Sequence, residues 1–392
     1  MRDASSTRWL QRLAAYGAQR LSAVANAPAD NGTAGGGAGS VRPGRTTATA
    51  GDANGARPPA GAAPEPPPIV PEPGAPARFA RELAPVRATE DDQLVSRRLL
   101  ERLSAEDIRT VETAIASDEQ LQAYYTGAAD SRHRTFLLLS FGVWLSVPAV
   151  LEKLALGAEQ PPEEIHAMAR GPLAAAGGLY EADMVAAALA SIGVAIDDAG
   201  EALDFGCSSG RLVRVLAAAH PEVRWHGCDP NGPAIEWAQR AYPHVHIFRS
   251  GDGPPLELPD SSLGLICAIS IWSHFAPALG LRWFDEMHRL LAPGGHLVFT
   301  THGFTAVDFY VKNVLRTVPQ SDEIVGGLYK RGWWYAQEFG AQGDWGVINP
   351  DWGTAFLSPE WLLAQLCPRW RVLEYAPGRN QDNQDVYVLQ RV

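Results

Sequence analysis

The residues best suited to chemistry are acids set beside small residues. Asp204 stands two positions before Gly206 in Leu203-Asp204-Phe205-Gly206-Cys207-Ser208-Ser209-Gly210, which ends one apolar run and leads into a helix-forming one. Small residues after a strand let the backbone approach a ligand closely, and the N–H groups that open the helix add donors. Asp229 closes the next apolar run, 23 residues after Gly206, where a carboxylate can accept from both hydroxyls of a ribose. Dinucleotide-binding enzymes use the same geometry, so these features alone leave the ligand open. Further on, Ser270-Ile271-Trp272-Ser273-His274 places an imidazole four residues beyond a strand end, and His302 stands just past the following strand. A neutral imidazole can take a proton from an acceptor near pH 7. Either ring could equally brace its loop. No Asp, Glu or His set has recognisable metal-ligand spacing, and Cys207, Cys228, Cys267 and Cys367 form no CxxC pair.

An alternation of strands and helices that starts after Gly177-Gly178 must position these groups. Leu203–Gly206, Val223–Asp229, Val245–Phe248, Leu265–Ser270 and His296–Thr301 read as strands. Arg211–Ala219, Ala234–Ala241 and Leu279–Leu291 read as helices, the last closed by Pro293-Gly294-Gly295. That rhythm predicts a parallel sheet with helices on both faces. Ser358-Pro359-Glu360 supplies an N-cap and a first-turn Pro for a helix ending at Leu366. Trp370–Tyr375 and Asp385–Leu389 flank the turn-rich PGRNQDNQ as a closing hairpin. Upstream, Asp91–Met168 is helical in pattern, with Ser104-x-x-Asp107 and Ser117-x-x-Gln120 as cap positions. Phe136–Leu151, interrupted by Pro148, is shorter than the roughly 20 residues of a membrane helix and reads as a buried helix.

Four stretches in order resemble the class I S-adenosylmethionine (SAM)-dependent methyltransferases, over roughly Tyr180–His302. LDFGCSSGR resembles the family's first motif, an acid before G-x-G-x-G, and GCDPNGPAIEWAQ its second. GDGPPLELPDSSLGLI is similar to the run joining the third and fourth strands, and RLLAPGGHLVFTT to the L-x-P-G-G lead into the fifth. A nicotinamide oxidoreductase would lack the third of these. The resemblance implies SAM as cofactor and a doubly wound α/β fold with a seven-stranded sheet closed by a C-terminal antiparallel hairpin. It implies that Gly206, Ser208 and Gly210 line the methionine moiety, with Asp204 toward its amino group. Asp229 would hold the ribose, Asp252 and the Gly253 N–H would meet the adenine, and Ser270 would lie under the cofactor. Ser208 replaces the family's middle Gly, and Gly264 the customary Asp of the fourth strand. Those departures leave a degenerate SAM-binding scaffold that recruits a partner as the alternative to an enzyme.

The sequence divides accordingly into a disordered Ala/Gly/Pro-rich tail (1–85), a helical lid or oligomer segment (86–176) and the SAM-binding core (177–303). An aromatic-rich substrate insertion (304–357) and the last helix with the closing hairpin (358–392) complete it. Within Arg2–Ala25 a short amphipathic helix is possible. The insertion carries Tyr310, Tyr329, Trp333, Trp334, Tyr335, Trp345 and Trp352 among Asp344, Asn349 and Asp351. Aromatic faces beside such groups suit sugar rings, and equally suit packing. The overall pattern of the chain, including GGLYEADMV before the first motif and QDVYVLQ at the end, also resembles methyltransferase domains of sugar and surface-glycan modification. Net charge is −11, yet residues 1–90 hold ten Arg, no Lys and seven acids, so the body is more acidic still. An acidic body argues against a nucleic-acid substrate held by its phosphates. The expected reaction is metal-independent O-methylation of a glycan or other small-molecule hydroxyl, with oligomerisation through residues 91–168 possible. Unpaired cysteines and the lack of a secretion signal point to the cytoplasm.

Overall fold

In the computed structural model the residues described are 94–157, 165, 171–313, 318–337 and 348–392. All lie in the second of two units, Pro76–Val392. The tail expected at 1–85 and the helix expected within Arg2–Ala25 lie outside the described residues, as do Asp344 and Trp345 and the side chain of Tyr310.

Five helices lead: α1 (Val95–Leu100), α2 (Ala105–Ala116), α3 (Glu119–Thr126), α4 (Ser131–Trp144) and α5 (Pro148–Lys153). Ser104 and Asp107 form a reciprocal capping box on α2, as their spacing predicts. The next cap is Asp118, which accepts from the Gln120 and Leu121 N–H groups, while Ser117 ends α2. A carboxylate two residues before Gln120 reaches those N–H groups more directly than Ser117 could. Pro148 does not interrupt a helix but opens α5, after Ser146 turns the chain at φ 51°. Phe136–Val143 of α4 are buried throughout.

Helix α6 (Gly171–Ala190) corrects the expected start of the alternating region, because Gly177-Gly178 sit inside it and the boundary at 176/177 cuts the helix. A Cβ on Gly178 would stand 2.4 Å from the Arg211 carbonyl oxygen, so this glycine serves close helix packing rather than a turn. Arg98 of α1 reaches Asp197 and Glu222, which precede the first and second strands. The Arg214 guanidinium donates to the Leu156 carbonyl. The helical segment thus packs along α6 and the helix that carries Arg214.

The α/β body follows as β1 (Glu201–Phe205), α7 (Arg211–Ala219), β2 (Arg224–Asp229), α8 (Gly232–Ala241), β3 (His246–Arg249), β4 (Leu263–Ala268), α9 (Pro277–Leu290) and β5 (Leu291–Thr301). The chain continues as α10 (Phe304–Asn313), α11 (Val318–Arg331), β6 (Trp333–Ala336), β7 (Thr354–Leu357), α12 (Pro359–Leu366), β8 (Trp370–Asn380) and β9 (Gln384–Arg391). Seven strands form one sheet in the order β3-β2-β1-β4-β5-β9-β8, with β1 to β5 parallel and β9 antiparallel to both neighbours. Strand β5 starts at Leu291 rather than His296, so Pro293-Gly294-Gly295 lies within it, opposite a register shift between Leu263 and Leu265. Gly264 sits at that shift, and a Cβ there would meet the Ala199 carbonyl oxygen at 2.2 Å. An Asp such as the resemblance leads one to expect has no room there.

Phe205, Trp272, Phe275, Trp283, Phe284 and Phe299 are buried in the main core between sheet and helices. Strands β6 and β7 pair separately, and Ala306, Val307, Ile324, Leu328, Trp334 and Phe356 form a small second core in the insertion. Among the described residues no helix is long and apolar enough to cross a membrane.

Candidate active site

In this strand order the chain leaves β1 toward β2 on one side and reaches β4 on the other. The crevice beyond the carboxyl ends of β1 and β4 is therefore the topological switch point, where open α/β sheets bind ligands. Gly206 leaves β1 at φ 81°, and a Cβ there would fall 2.1 Å from Ile271 Cδ1, so the two strand ends meet at a glycine. Gly210, also left-handed, caps α7. Ser208 occupies the middle position at φ 49°, a region open to non-glycine residues at some cost.

A pocket opens here, and Gly206, Asp229, Asp252, Ile271, Phe275 and Trp352 contribute to its wall. Asp229 Oδ2 accepts from the Ser208 N–H at 2.9 Å, and Oδ1 from the Asn231 N–H at 2.8 Å. A carboxylate has about four lone-pair sites, so two bonds fix its orientation and leave capacity for two hydroxyl donors. Burial pushes its pKa up to about 6, against the pull of those two N–H groups.

Asp204 is buried and accepts from the Val213 N–H at 3.1 Å, tying β1 to the first turn of α7. Burial pushes its pKa up to about 7, while nearby Arg211 pulls it down. Arg211 pairs at 2.7 Å with Glu181 of α6, whose own pKa is raised by burial. Asp204 thus belongs to the support of the turn and does not line this pocket; Asp252 does line it, from an exposed loop. Gly253 follows on that loop, with open space where a Cβ would stand. Its loop is gripped by Arg289, which donates to the Leu256 and Leu258 carbonyls, and by Glu286, which accepts from the Leu256 N–H at 2.7 Å.

On the far side, Ser270 ends the β4 run at φ 65° inside a polar network. Its N–H donates to Thr300 Oγ1 at 2.7 Å, Thr300 donates to Gln384 Oε1 at 2.7 Å, and Gln384 Nε2 donates to Ser270 Oγ at 2.7 Å. Sequence reasoning missed Gln384. It carries no local signal and meets Ser270 only because β9 inserts beside β5. Trp272 anchors the same loop, with its indole donating to the Gly280 carbonyl and its ring 4.4 Å from that of Phe284.

Both histidines are buried and tied to the strand returning from the insertion. His274 Nδ1 lies 3.1 Å from the Gly353 carbonyl oxygen, and His302 Nδ1 lies 3.2 Å from that of Ala355. A carbonyl only accepts, so each Nδ1 carries the proton, and in the neutral ring the basic lone pair is on Nε2. Three backbone bonds complete the seam: Gly353 N–H to His274 O, Ala355 N–H to Ser273 O and Leu357 N–H to His302 O.

The insertion's aromatics divide. Trp334 packs into the second core, Tyr335 donates to the Pro350 carbonyl, Trp333 faces Arg331, and Tyr329 is exposed beside Phe304. Among the described aromatics of the insertion, only Trp352 reaches the pocket wall. Asn349 Oδ1 accepts from the Asp351 N–H, and Asp351 lies 3.9 Å from Arg282. Cys207, Cys228 and Cys267 are buried thiols with raised pKa values, whereas Cys367 is exposed.

Among the described residues one set, Asp197, His220 and Glu222, brings metal-type ligand atoms within 4.8 Å of one another. The Arg98 guanidinium already bonds both acids there, and the group lies at the opposite ends of the strands.

Residues 202–295 match the family described as methyltransferase domain. The chain is also similar to solved structures of SAM-dependent methyltransferases from three organisms. The Methanosarcina mazei protein is 19% identical, with 50% of this chain and 93% of that chain covered and a TM-score of 0.37. For Mesorhizobium loti the figures are 16%, 52%, 96% and 0.35. For Aquifex aeolicus they are 13%, 52%, 88% and 0.34. The matched family stretch runs from β1 to the Pro-Gly-Gly of β5 and contains the whole Gly-turn and carboxylate wall. Residues 202–295 are a methyltransferase domain by this match, and S-adenosylmethionine is the cofactor that such a domain implies. The wall fits that cofactor: besides the two carboxylates, Ser208 Oγ in the Gly-rich turn is buried without a hydrogen-bond partner.

Proposed function

We propose that the enzyme transfers the methyl group to a hydroxyl of a glycan or other small molecule, without a metal, using His274 or His302 as the proton acceptor. SAM supplies an already activated methyl group, so the protein's share is positioning and removal of the acceptor's proton. Asp229 holds the ribose and Asp252 the adenine end. Gly206, Ser208, Gly210 and the Gly253 N–H give backbone approach, Asp204 stiffens the turn and Ser270 lies beneath. The carrying observation is the fixed tautomer of both histidines, each with Nδ1 on a carbonyl of the returning strand and its basic lone pair on Nε2. A ring held this way is oriented by the insertion, which therefore sets acceptor specificity. Residues 86–176 would then serve as an oligomer surface or lid. The test is a screen of glycan, polyketide and phenolic acceptors for S-adenosylhomocysteine release. Turnover on hydroxyl acceptors but not on their O-methyl ethers supports the reading; SAM binding with no turnover on any acceptor favours the scaffold alternative.

A further inference from the structure

We propose that Trp352 reads the cofactor's adenine, its indole N–H donating to a ring nitrogen of the purine. This rests on the pocket being the SAM site. Trp352 belongs to the insertion, not to the α/β core, yet it stands in the same wall as Gly206, Asp229 and Asp252. It is 8% exposed, and its Nε1–H is buried without a hydrogen-bond partner. A buried donor left unpaired is costly and rare in folded proteins, so such a group in a pocket wall marks a place where a ligand acceptor belongs.

The ring cannot easily turn away to find another partner. Its backbone forms a bridge with Phe275, and its N–H donates to the Asn349 carbonyl at 3.0 Å. The indole packs edge-on against Phe275 at 5.3 Å and lies nearly parallel to His274, 10° apart at 6.0 Å.

Complementarity then selects the ligand group. Asp229 and Asp252 are acceptors, matched by ribose hydroxyls and an exocyclic amine, which are donors. What remains of an adenosine is its set of ring nitrogens, which are acceptors and need an N–H. Trp352 supplies one. The same ring lies against His274, so a bound adenine would bear on a residue proposed as the proton acceptor. Trp283 also lines the pocket with an unpartnered indole N–H, but it is 2% exposed and packs deep against Phe205 at 4.6 Å, which makes it the control.

The experiment measures binding of S-adenosylhomocysteine to the full chain by calorimetry, together with analogues in which adenine N1, N3 or N7 is replaced by C–H. Wild type should bind one analogue about tenfold more weakly than the parent, the usual worth of a buried hydrogen bond. Trp352→Phe should bind the parent about tenfold more weakly and show no further loss with that analogue, while Trp283→Phe keeps the discrimination. Parent affinity unchanged in a folded Trp352→Phe overturns the assignment, as does discrimination that persists in it or disappears in Trp283→Phe instead. Should Trp352→Phe fail to fold, three analogues all binding wild type within twofold of the parent would overturn it. No binding of the parent to wild type would sink the cofactor site itself, a different failure.

Discussion

The two walls of the pocket are held in opposite ways. On the β1–β2 side the bonds to the two strand-end acids are the nearer in sequence: Asp229 accepts from Asn231 two residues on and from Ser208 in the turn after β1, and Asp204 accepts from Val213. On the β4–β5 side the supports come from far along the chain. Ser270 is held by Gln384, 114 residues away, and His274 by Gly353, 79 residues away. On the proposed reading the first wall is the more local motif and serves binding; the second is an assembly that depends on the insertion and the closing hairpin. Apart from Trp352, damage to the second wall should therefore cost turnover far more than binding.

The largest expected effect lies on the assembled wall. His274→Ala should lower turnover by roughly 10²- to 10⁴-fold, the usual contribution of a positioned base, while SAM affinity changes little. His274→Asn sharpens the test, because its amide can still donate to the Gly353 carbonyl but cannot act as a base. An Asn variant as impaired as Ala supports proton removal. Recovery of activity by Asn makes His274 a brace and moves the base to His302.

Next comes the local wall. Asp229→Ala should weaken SAM binding by about 1–3 kcal/mol, the cost of losing hydrogen bonds to a charged group. Unchanged affinity in a folded variant would remove Asp229 from the ribose. Gln384→Leu, by contrast, should leave affinity nearly intact and lower stability by about 1–2 kcal/mol, since Ser270 and Thr300 lose partners in a buried network. A Gln384→Leu chain that melts normally would mean the network is not what joins β9 to the site.

This contrast also explains what could be read from the chain alone. Strand–helix alternation, the Gly-rich turn and Asp229 are local patterns, and the structure forms them where they were expected. Gly206, Asp229 and Asp252 were all legible as pocket residues. Asp204 was legible as a site acid, but its bond to Val213 depends on how α7 docks. Gln384 and Trp352 were not legible in their roles, because nothing within several residues of either specifies a partner. Trp352 read as one of several insertion aromatics, and only the returning strand singles it out. The Gly177-Gly178 pair misled for a related reason, since a glycine needed for close helix packing looks, in sequence, like a glycine needed for a turn.

The smallest expected effect is a pair of opposed pH trends at Asp229. Its carboxyl titrates near 3.8 in an ordinary setting and is pushed up to about 6 here by burial. Between those values the folded chain holds a proton that the unfolded chain has released. The group's contribution to stability is therefore fully present below about pH 4, falls as pH rises toward 6, and is constant above. Cofactor binding runs the other way, because ribose hydroxyls need the ionised carboxylate as acceptor. Affinity should be flat above pH 7, about twofold weaker at pH 6, and weaker again below. Asp204, pushed up to about 7, adds a stability slope of the same sign over a wider window, so wild type must be compared with Asp229→Asn. Thermal melts with and without S-adenosylhomocysteine across pH 5–8 separate the two trends. The ligand-induced shift should grow with pH in wild type and be flat in Asp229→Asn. A wild-type shift equally large at pH 5 and pH 8 would show that the local wall binds through its backbone turn and not through the ionised carboxylate.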